Sequence, residues 1–343
     1  MDGNNHGIII IPMSKAILLD KRPEGMPVAA DFKFIDEEMP TPKEGEILLK
    51  TLYVSVDPYL RGRMKDVKSY IPPFQLGQPI SSGIISEVIS SLNGDFKKGD
   101  FVHGYLDWKE YQVSTGKGLT KVDAEAVDLS TYLGVLGGTG LTAYFGLKEI
   151  GLPKPGETVV VSGAAGAVGN VVGQIAKLMG CRVIGLAGSD EKIETLKSKF
   201  QYDEGINYKT TEDLAAAIKE VCPDGVDIYF DNVGGDVSDA VLSNLAYKAR
   251  VIVCGSIALY NDTVPTLAPR VEWRLIVHSA SMTGFLLSDF AEQLPAGVQQ
   301  LTTWFKEGKI TSSETIVEGF DQIPNAFIGL FEGKNHGKMI VKI

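Results

Sequence analysis

Gly163, Gly166 and Gly169 stand three residues apart. Just before them, Thr158 to Val161 is a β-branched apolar run short enough for one buried strand. Just after them, Val171 to Met179 carries apolar residues at helical spacing and stops at Gly180. Arg182 to Ala187 then reads as a second buried strand. Strand, glycine turn, helix and strand in that order can bind a dinucleotide. One glycine permits a sharp turn, one lets backbone approach a pyrophosphate, and one lets the helix pack close to the strand. The helix start offers free N–H groups and partial positive charge to the phosphates. The spacing is G-x-x-G-x-x-G rather than G-x-G-x-x-G, so the flanking strand and helix carry the assignment. No Lys-Ser or Lys-Thr closes the run, which argues against a nucleotide-triphosphate loop.

The end of the second strand bears on which dinucleotide. An NAD site places a carboxylate about 20 residues past the glycines, on the ribose 2′-hydroxyl. Here that place reads Ala187, Gly188, Ser189. Asp190 and Glu191 suit the first turn of a helix capped by Ser189. Lys192 does not suit that turn, where a cation opposes the helix dipole at a cost of about 0.3–1 kcal/mol. A 2′-phosphate beside it reverses the sign. The expected cofactor is NADP(H).

The chain has 343 residues, which suggests two domains. Its formal net charge of −10 argues against nucleic acid and anionic membranes as partners. No apolar run approaches the ~18 residues of a membrane helix. Ile8 to Ile11 is too short for a signal core and follows an acidic start. The expected location is cytoplasmic. Cys181, Cys222 and Cys254 form no C-x-x-C, and the four histidines show no H-E-x-x-H spacing. No metal site is expected.

Residues 14 to about 125 lack strand–helix alternation. Short strands, Ala16 to Leu19, Glu46 to Ser55, Ile84 to Ile89 and Phe101 to Tyr105, are punctuated by Pro and Gly, as in a small β-barrel-like domain. Leu136 to Leu147 opens the second domain as a helix. Helices at Glu191 to Phe200, Glu212 to Val221 and Val237 to Leu245 alternate with strands at Gly205 to Tyr208, Val226 to Asp231 and Arg250 to Cys254. Leu275 to Thr283 is the expected sixth strand, with Asp289 to Lys306 its helix. This alternation implies a parallel sheet covered on both faces. Glu314 to Glu318, Gln322 to Phe331 and Gly337 to Ile343 read as strand, helix and strand. The last of these could pair with the first domain and make it discontinuous.

Several segments carry a resemblance: VSVDPYLR (54–61), GLTAYFGL (140–147), AAGAVGNVVGQIAKLMGC (164–181), GSDEK (188–192), NYKT (207–210), FDNVGG (230–235) and GKNHGKMIVK (333–342). In this order they resemble the medium-chain dehydrogenase/reductase superfamily, most closely its zinc-independent prostaglandin reductase and alkenal double-bond reductase branch. The resemblance implies an α/β fold: a GroES-like barrel domain at 1–130 and 310–343, and a doubly wound Rossmann domain at 131–309, with the active site in the cleft. It implies that Gly166, Ala167, Val168 and Gly169 hold the pyrophosphate. Lys192 and Tyr208, with Ser189 beside them, match the 2′-phosphate positions. Asn232 and the run Cys254, Gly255, Ser256 to Tyr260 match positions along adenosine and the nicotinamide ribose. Phe285, Leu286, Leu287 and Asn335 match further cofactor contacts. Members are often homodimers, and a long apolar edge strand at Leu275 to Thr283 would tend to pair.

Zinc members of the superfamily need an early cysteine and a histidine–glutamate pair. Here no cysteine precedes position 181, and LGQPISSG (76–83) holds no ligand. Without a Lewis acid, an alcohol–carbonyl pair loses its usual electrophile. A conjugated alkene fits better, because only an enolate oxygen must be stabilised. A neutral tyrosine hydroxyl can donate to that oxygen. Tyr260, just past a strand end, and Tyr53, just before VSVDPYLR, are the catalytic candidates, expected to face each other across the cleft. The expected activity is NADPH-dependent reduction of the C=C bond of an enone or enal. A quinone reductase and a catalytically silent NADPH-binding protein are the alternatives.

Overall fold

The computed structural model describes residues 12–343, so Ile8 to Ile11 lies outside the described residues. Six parallel strands form one sheet in the order Glu204–Asn207, Arg182–Ala187, Thr158–Ser162, Val226–Asp231, Leu245–Val253 and Ser281–Gly284. Counted along the chain this is 3-2-1-4-5-6, the doubly wound dinucleotide-binding order. Val161 lies in register with Gly185 on one side and Phe230 on the other. Val159 and Val161 enter a core with Phe145, Ile175 and Leu301 on one face. Val160 enters another with Ile218, Tyr229 and Val241 on the opposite face. A strand buried on both faces has no polar side, which is why it reads as a continuous apolar run.

The second sheet is built mostly from the first third of the chain. Ile47–Ser55 pairs antiparallel with Ser81–Ser91, Tyr111–Ser114 and Lys338–Lys342. Lys338–Lys342 thus lies between Ile47–Ser55 and Glu314–Glu318. Met13–Leu19 and Phe32–Glu38 make a separate antiparallel ribbon, tied on by Ile17 N–H donating to Trp108 O at 2.9 Å. Trp108 is fully buried in this core, stacks near Phe32, and satisfies its indole N–H on Ser82 Oγ at 2.8 Å.

Several elements differ from the sequence expectation. Leu275 to Thr283 is not one strand: Glu272–His278 is a helix, and the strand is only Ser281–Gly284. Val271, Leu275 and Ala280 pack toward the sheet, while Trp273 and Ile276 are each 70% exposed. A helix apolar on two faces imitates the unbroken run of a buried strand. The helix expected from Leu136 spans Gly138–Phe145 and continues in a wider turn, Gly146–Gly151. Asp289 to Lys306 divides into a 3-10 segment, Leu287–Gln293, and the helix Leu294–Lys306 with Pro295 in its first turn. Pro lacks the N–H a continuous helix needs but suits a helix start. The helix placed at Glu212 starts at Leu214, where the Asp213 carboxylate accepts from Ala216 N–H at 2.9 Å.

Candidate active site

Most of the cofactor candidates lie just past the carboxyl end of a parallel strand. Gly166 to Gly169 follow Ser162, Ser189 and Lys192 follow Ala187, and Tyr208 follows Asn207. Asn232 follows Asp231, Cys254 to Ser256 follow Val253, and Phe285 to Leu287 follow Gly284. Sheets of this order bind ligands at that edge, where the strand order reverses.

The glycine turn has little room for side chains. Gly163 has φ 59°. A Cβ on Gly169 would lie 2.4 Å from Gly163 O, and one on Gly166 3.1 Å from the same atom. The helix Gly169–Leu178 opens directly from the turn. Over it runs the segment 333–337: Gly337 N–H donates to Ala165 O at 2.8 Å, and Asn335 Nδ2 donates to Gly337 O at 2.8 Å.

At the second strand, Ser189 caps the helix Asp190–Phe200 by accepting from Lys192 N–H at 3.3 Å. Asp190 is occupied by Asn207 Nδ2 at 2.7 Å. A Cβ on Gly188 would meet Tyr208 Oη at 2.9 Å and Lys209 Cε at 3.0 Å. Lys192 donates to Gly333 O at 2.7 Å. Burial, and then the like charge of Lys209, hold the Lys192 ammonium below the usual lysine range. Neither lysine has a carboxylate partner within 4.0 Å among the described residues. Two cations and a phenol gathered over a side-chain-free glycine fit a phosphate. Lys209 was missed in the sequence, although it stands inside NYKT.

One buried carboxylate organises the central turn. Asp231 Oδ1 accepts from Ser162 Oγ at 2.8 Å, Tyr229 Oη at 2.9 Å, Val233 N–H at 2.9 Å and Gly234 N–H at 3.0 Å. Its own carbonyl accepts from Cys254 N–H at 2.9 Å and Gly255 N–H at 3.0 Å. Asn232 Nδ2 donates to Ser162 O at 2.8 Å. The ends of three neighbouring strands are thereby locked together. Burial and the Asp231 charge push the Cys254 thiol up to about 12, so it is a neutral packing group.

Tyr260 closes the 3-10 turn Ile257–Leu259. Ser256 N–H donates to its hydroxyl oxygen at 3.3 Å. The phenol proton therefore remains for another acceptor. Burial raises the Tyr260 pKa, which keeps the group a neutral donor.

Tyr53 lies half-buried on the central strand of the second sheet, near Ile85, Leu133, Ile340 and Tyr132. Tyr260 lies within electrostatic reach of Tyr70, and Tyr70 within reach of Tyr105 and Arg63. Tyr59 joins this group, its hydroxyl pushed up by burial and by neighbouring Asp57 and Tyr105. Arg63 lies 3.8 Å over the Phe74 ring. Tyr59 caps the helical turn Leu60–Arg63 and Arg63 ends it, where the VSVDPYLR segment runs into the turn. The Phe285 ring lies near Phe290 and against Gly146.

A doubly wound sheet with a glycine turn, joined to a β-domain that supplies tyrosines at the mouth of the same edge, is the architecture of a two-domain dinucleotide-dependent oxidoreductase. Residues 15–122 match the family model described as the N-terminal domain of oxidoreductase, and residues 167–304 the one described as zinc-binding dehydrogenase. The chain is 54% identical over 329 residues to YfmJ of Bacillus subtilis (strain 168), covering 95% of this chain and 97% of that protein. It is 42% identical over 335 residues to a 2-alkenal reductase (NADP(+)-dependent) of Nicotiana tabacum, covering 96% and 97%. CurA from Vibrio vulnificus, solved in complex with NADPH, is 41% identical with a TM-score of 0.91, covering 96% of this chain and 98% of that one. The chain belongs to the medium-chain dehydrogenase/reductase superfamily, in the branch of the alkenal and prostaglandin reductases.

Proposed function

We propose that this protein is an NADPH-dependent reductase that saturates the C=C bond of α,β-unsaturated ketones and aldehydes. The observation that carries the reading is the Tyr260 hydroxyl, which accepts from Ser256 N–H and keeps its proton to donate. NADPH, when bound, supplies the hydride that the β-carbon receives. The chain's own residues do the rest. The glycine turn and the N-terminal end of the helix Gly169–Leu178 would hold the pyrophosphate. Ser189, Lys192 and Tyr208, joined by Lys209, hold the 2′-phosphate. Asn232, Cys254, Gly255, Ser256, Phe285, Leu286, Leu287 and Asn335 line the remaining cofactor path. Tyr260 donates to the substrate carbonyl oxygen as negative charge develops there, and a proton from solvent completes the α-carbon. Tyr59, Arg63, Tyr70 and Tyr105 form the opposite wall.

We also propose that the reaction needs no zinc. The donor set supports this: among the described residues no group of three or more His, Cys, Asp or Glu side chains could hold a metal ion. The barrel domain is taken as 1–130 with 310–343, and the Rossmann domain as 131–309. A homodimer is proposed through the edge at Glu272–His278 and Ser281–Gly284, where exposed Trp273, Ile276 and Met282 gather. No helix among the described residues is long and apolar enough to cross a membrane, which suits the proposed cytoplasmic location.

The test is NADPH consumption with an enone, a quinone and no substrate. Deuterium from labelled NADPH should appear at the β-carbon and solvent deuterium at the α-carbon, with a saturated carbonyl product. Label on the carbonyl carbon would make the protein an alcohol dehydrogenase. Turnover confined to quinones would favour the quinone reductase reading, and none at all the silent binding protein.

A further inference from the structure

Arg61 is 1% exposed, in the middle of the short helix Leu60–Arg63. Its Nε donates to Asn261 Oδ1 at 2.9 Å. Its Nη2 donates to Pro23 O at 3.0 Å and to Gly25 O at 2.9 Å. Asn261 is the residue after Tyr260, and its Nδ2 donates to Met26 Sδ at 3.2 Å. One buried guanidinium therefore ties together the loop 23–26, the turn bearing Tyr59 and Arg63, and the turn bearing Tyr260.

Stability alone does not account for this arginine. Burying a charge is costly, and a pair or cluster around it repays the cost only with complete hydrogen bonding. Here Nη1 has no partner among the described residues. Asp31 acts on Arg61 only at a distance, without an ion pair within 4.0 Å. What an arginine offers is geometry: a planar fork whose donors are fixed relative to one another. The three segments it joins are the two walls of the cleft and the loop behind them.

We infer that Arg61 and Asn261 form a strut that sets the width of the substrate cleft and holds Tyr260 at its working distance from the Tyr59 wall. Both are positioning residues, since each acts through the segments it holds. The inference rests on the reductase reading of this cleft. Misplacing a catalytic group by about 1 Å can cost ~10²-fold in rate, so a strut of this kind acts on turnover rather than on cofactor binding.

Arg61→Ala would leave three acceptors unpaired and risks misfolding, so the test is placed on half-buried Asn261. Asn261→Leu removes the acceptor while keeping a side chain branched at Cγ, and Asn261→Asp keeps an acceptor oxygen there. Three readouts are needed: turnover with 3-buten-2-one, NADPH affinity by fluorescence titration, and amide hydrogen exchange over residues 256–262. Asn261→Leu should speed exchange in that segment and lower kcat about tenfold or more, while NADPH Kd moves by less than about twofold. Asn261→Asp should restore most of the lost turnover. Exchange unchanged in Asn261→Leu would overturn the strut, and faster exchange with undiminished kcat would overturn its role in positioning. If the parent protein reduces no enone, the reductase reading fails by itself, and the exchange measurement still decides whether the strut exists.

Discussion

Tyr260 differs from an ordinary cleft tyrosine in having its oxygen already engaged. A hydroxyl that accepts a backbone hydrogen bond at 3.3 Å has its proton directed elsewhere. Removing one oxyanion donor typically costs ~10²–10³ in turnover. A cofactor hydroxyl could share the task, so Tyr260→Phe should lower kcat on an enone at least several-fold with NADPH Kd little changed. Steady-state kinetics paired with binding titration checks this. Because burial raises its pKa, Tyr260 stays protonated across neutral and mildly alkaline pH. Turnover should therefore show no loss attributable to this phenol as pH rises through 9. A basic limb near neutrality, abolished by Tyr260→Phe, would contradict that assignment. At the far end of the cofactor path, Lys192 and Lys209 repel each other until an anion lies between them. A charge-assisted hydrogen bond contributes about 1.5–3 kcal/mol, so either alanine variant should raise the NADPH KM about tenfold and leave the NADH KM almost unchanged. Equal effects on both cofactors would remove the 2′-phosphate from this place. The thiols predict an absence of reactivity: burial pushes Cys181 up to about 11 and Cys254 to about 12, so alkylation at pH 8 should be slow at both unless the fold opens.

At the scale of elements, the local chemistry of the central stretch agrees with its tertiary role. The glycine turn, the Ser189 cap and the buried strands could be read because each depends on neighbours in sequence. The Glu272–His278 helix could not, because its second apolar face is exposed among the described residues and so leaves no polar side to mark a helix. Tyr59 was not singled out in the sequence, although Pro58 was an available signal: it ends the extended run and puts the next residue in a turn, where binding residues concentrate. Arg61 and Asp231 were legible as residue types but not as hubs, since their partners lie far away in sequence. Asp231→Asn would turn one acceptor oxygen into a donor among four donors. It should destabilise the protein by about 1–3 kcal/mol and loosen Asn232 and Gly255 together, seen as a lower Tm and weaker NADPH binding.

At the scale of the molecule, a buried ion pair fastens the last strand to the turn that carries Tyr59. Lys338 is 2% exposed, pairs with Asp57 at 3.0 Å and donates to Val56 O at 2.8 Å. Asp57 in turn accepts from Ser55 and directly precedes Pro58 and Tyr59. Breaking a buried pair by deleting one partner typically costs about 3–5 kcal/mol. Lys338→Met should therefore lower thermal stability markedly, and Asp57→Asn in the same chain should recover part of the loss.

The position of Lys338–Lys342 also has a consequence in time. Ribosomes make a chain from its N-terminus, and domains generally fold as units as they emerge. Here Tyr53 cannot meet its second sheet partner until Lys342 has been made, and the turn at Ala165 must wait for Gly337. Until then the end of that strand, Tyr53 to Ser55, presents an open flank, and an open strand flank invites wrong pairing. The doubly wound sheet, whose strands all lie between Thr158 and Gly284, faces no such wait. A nascent chain arrested at Gly308 should thus carry a folded nucleotide half beside an unfinished barrel and depend on chaperones to shield it. Released at full length, it gains its ability to grip NADPH in the same step that closes that flank.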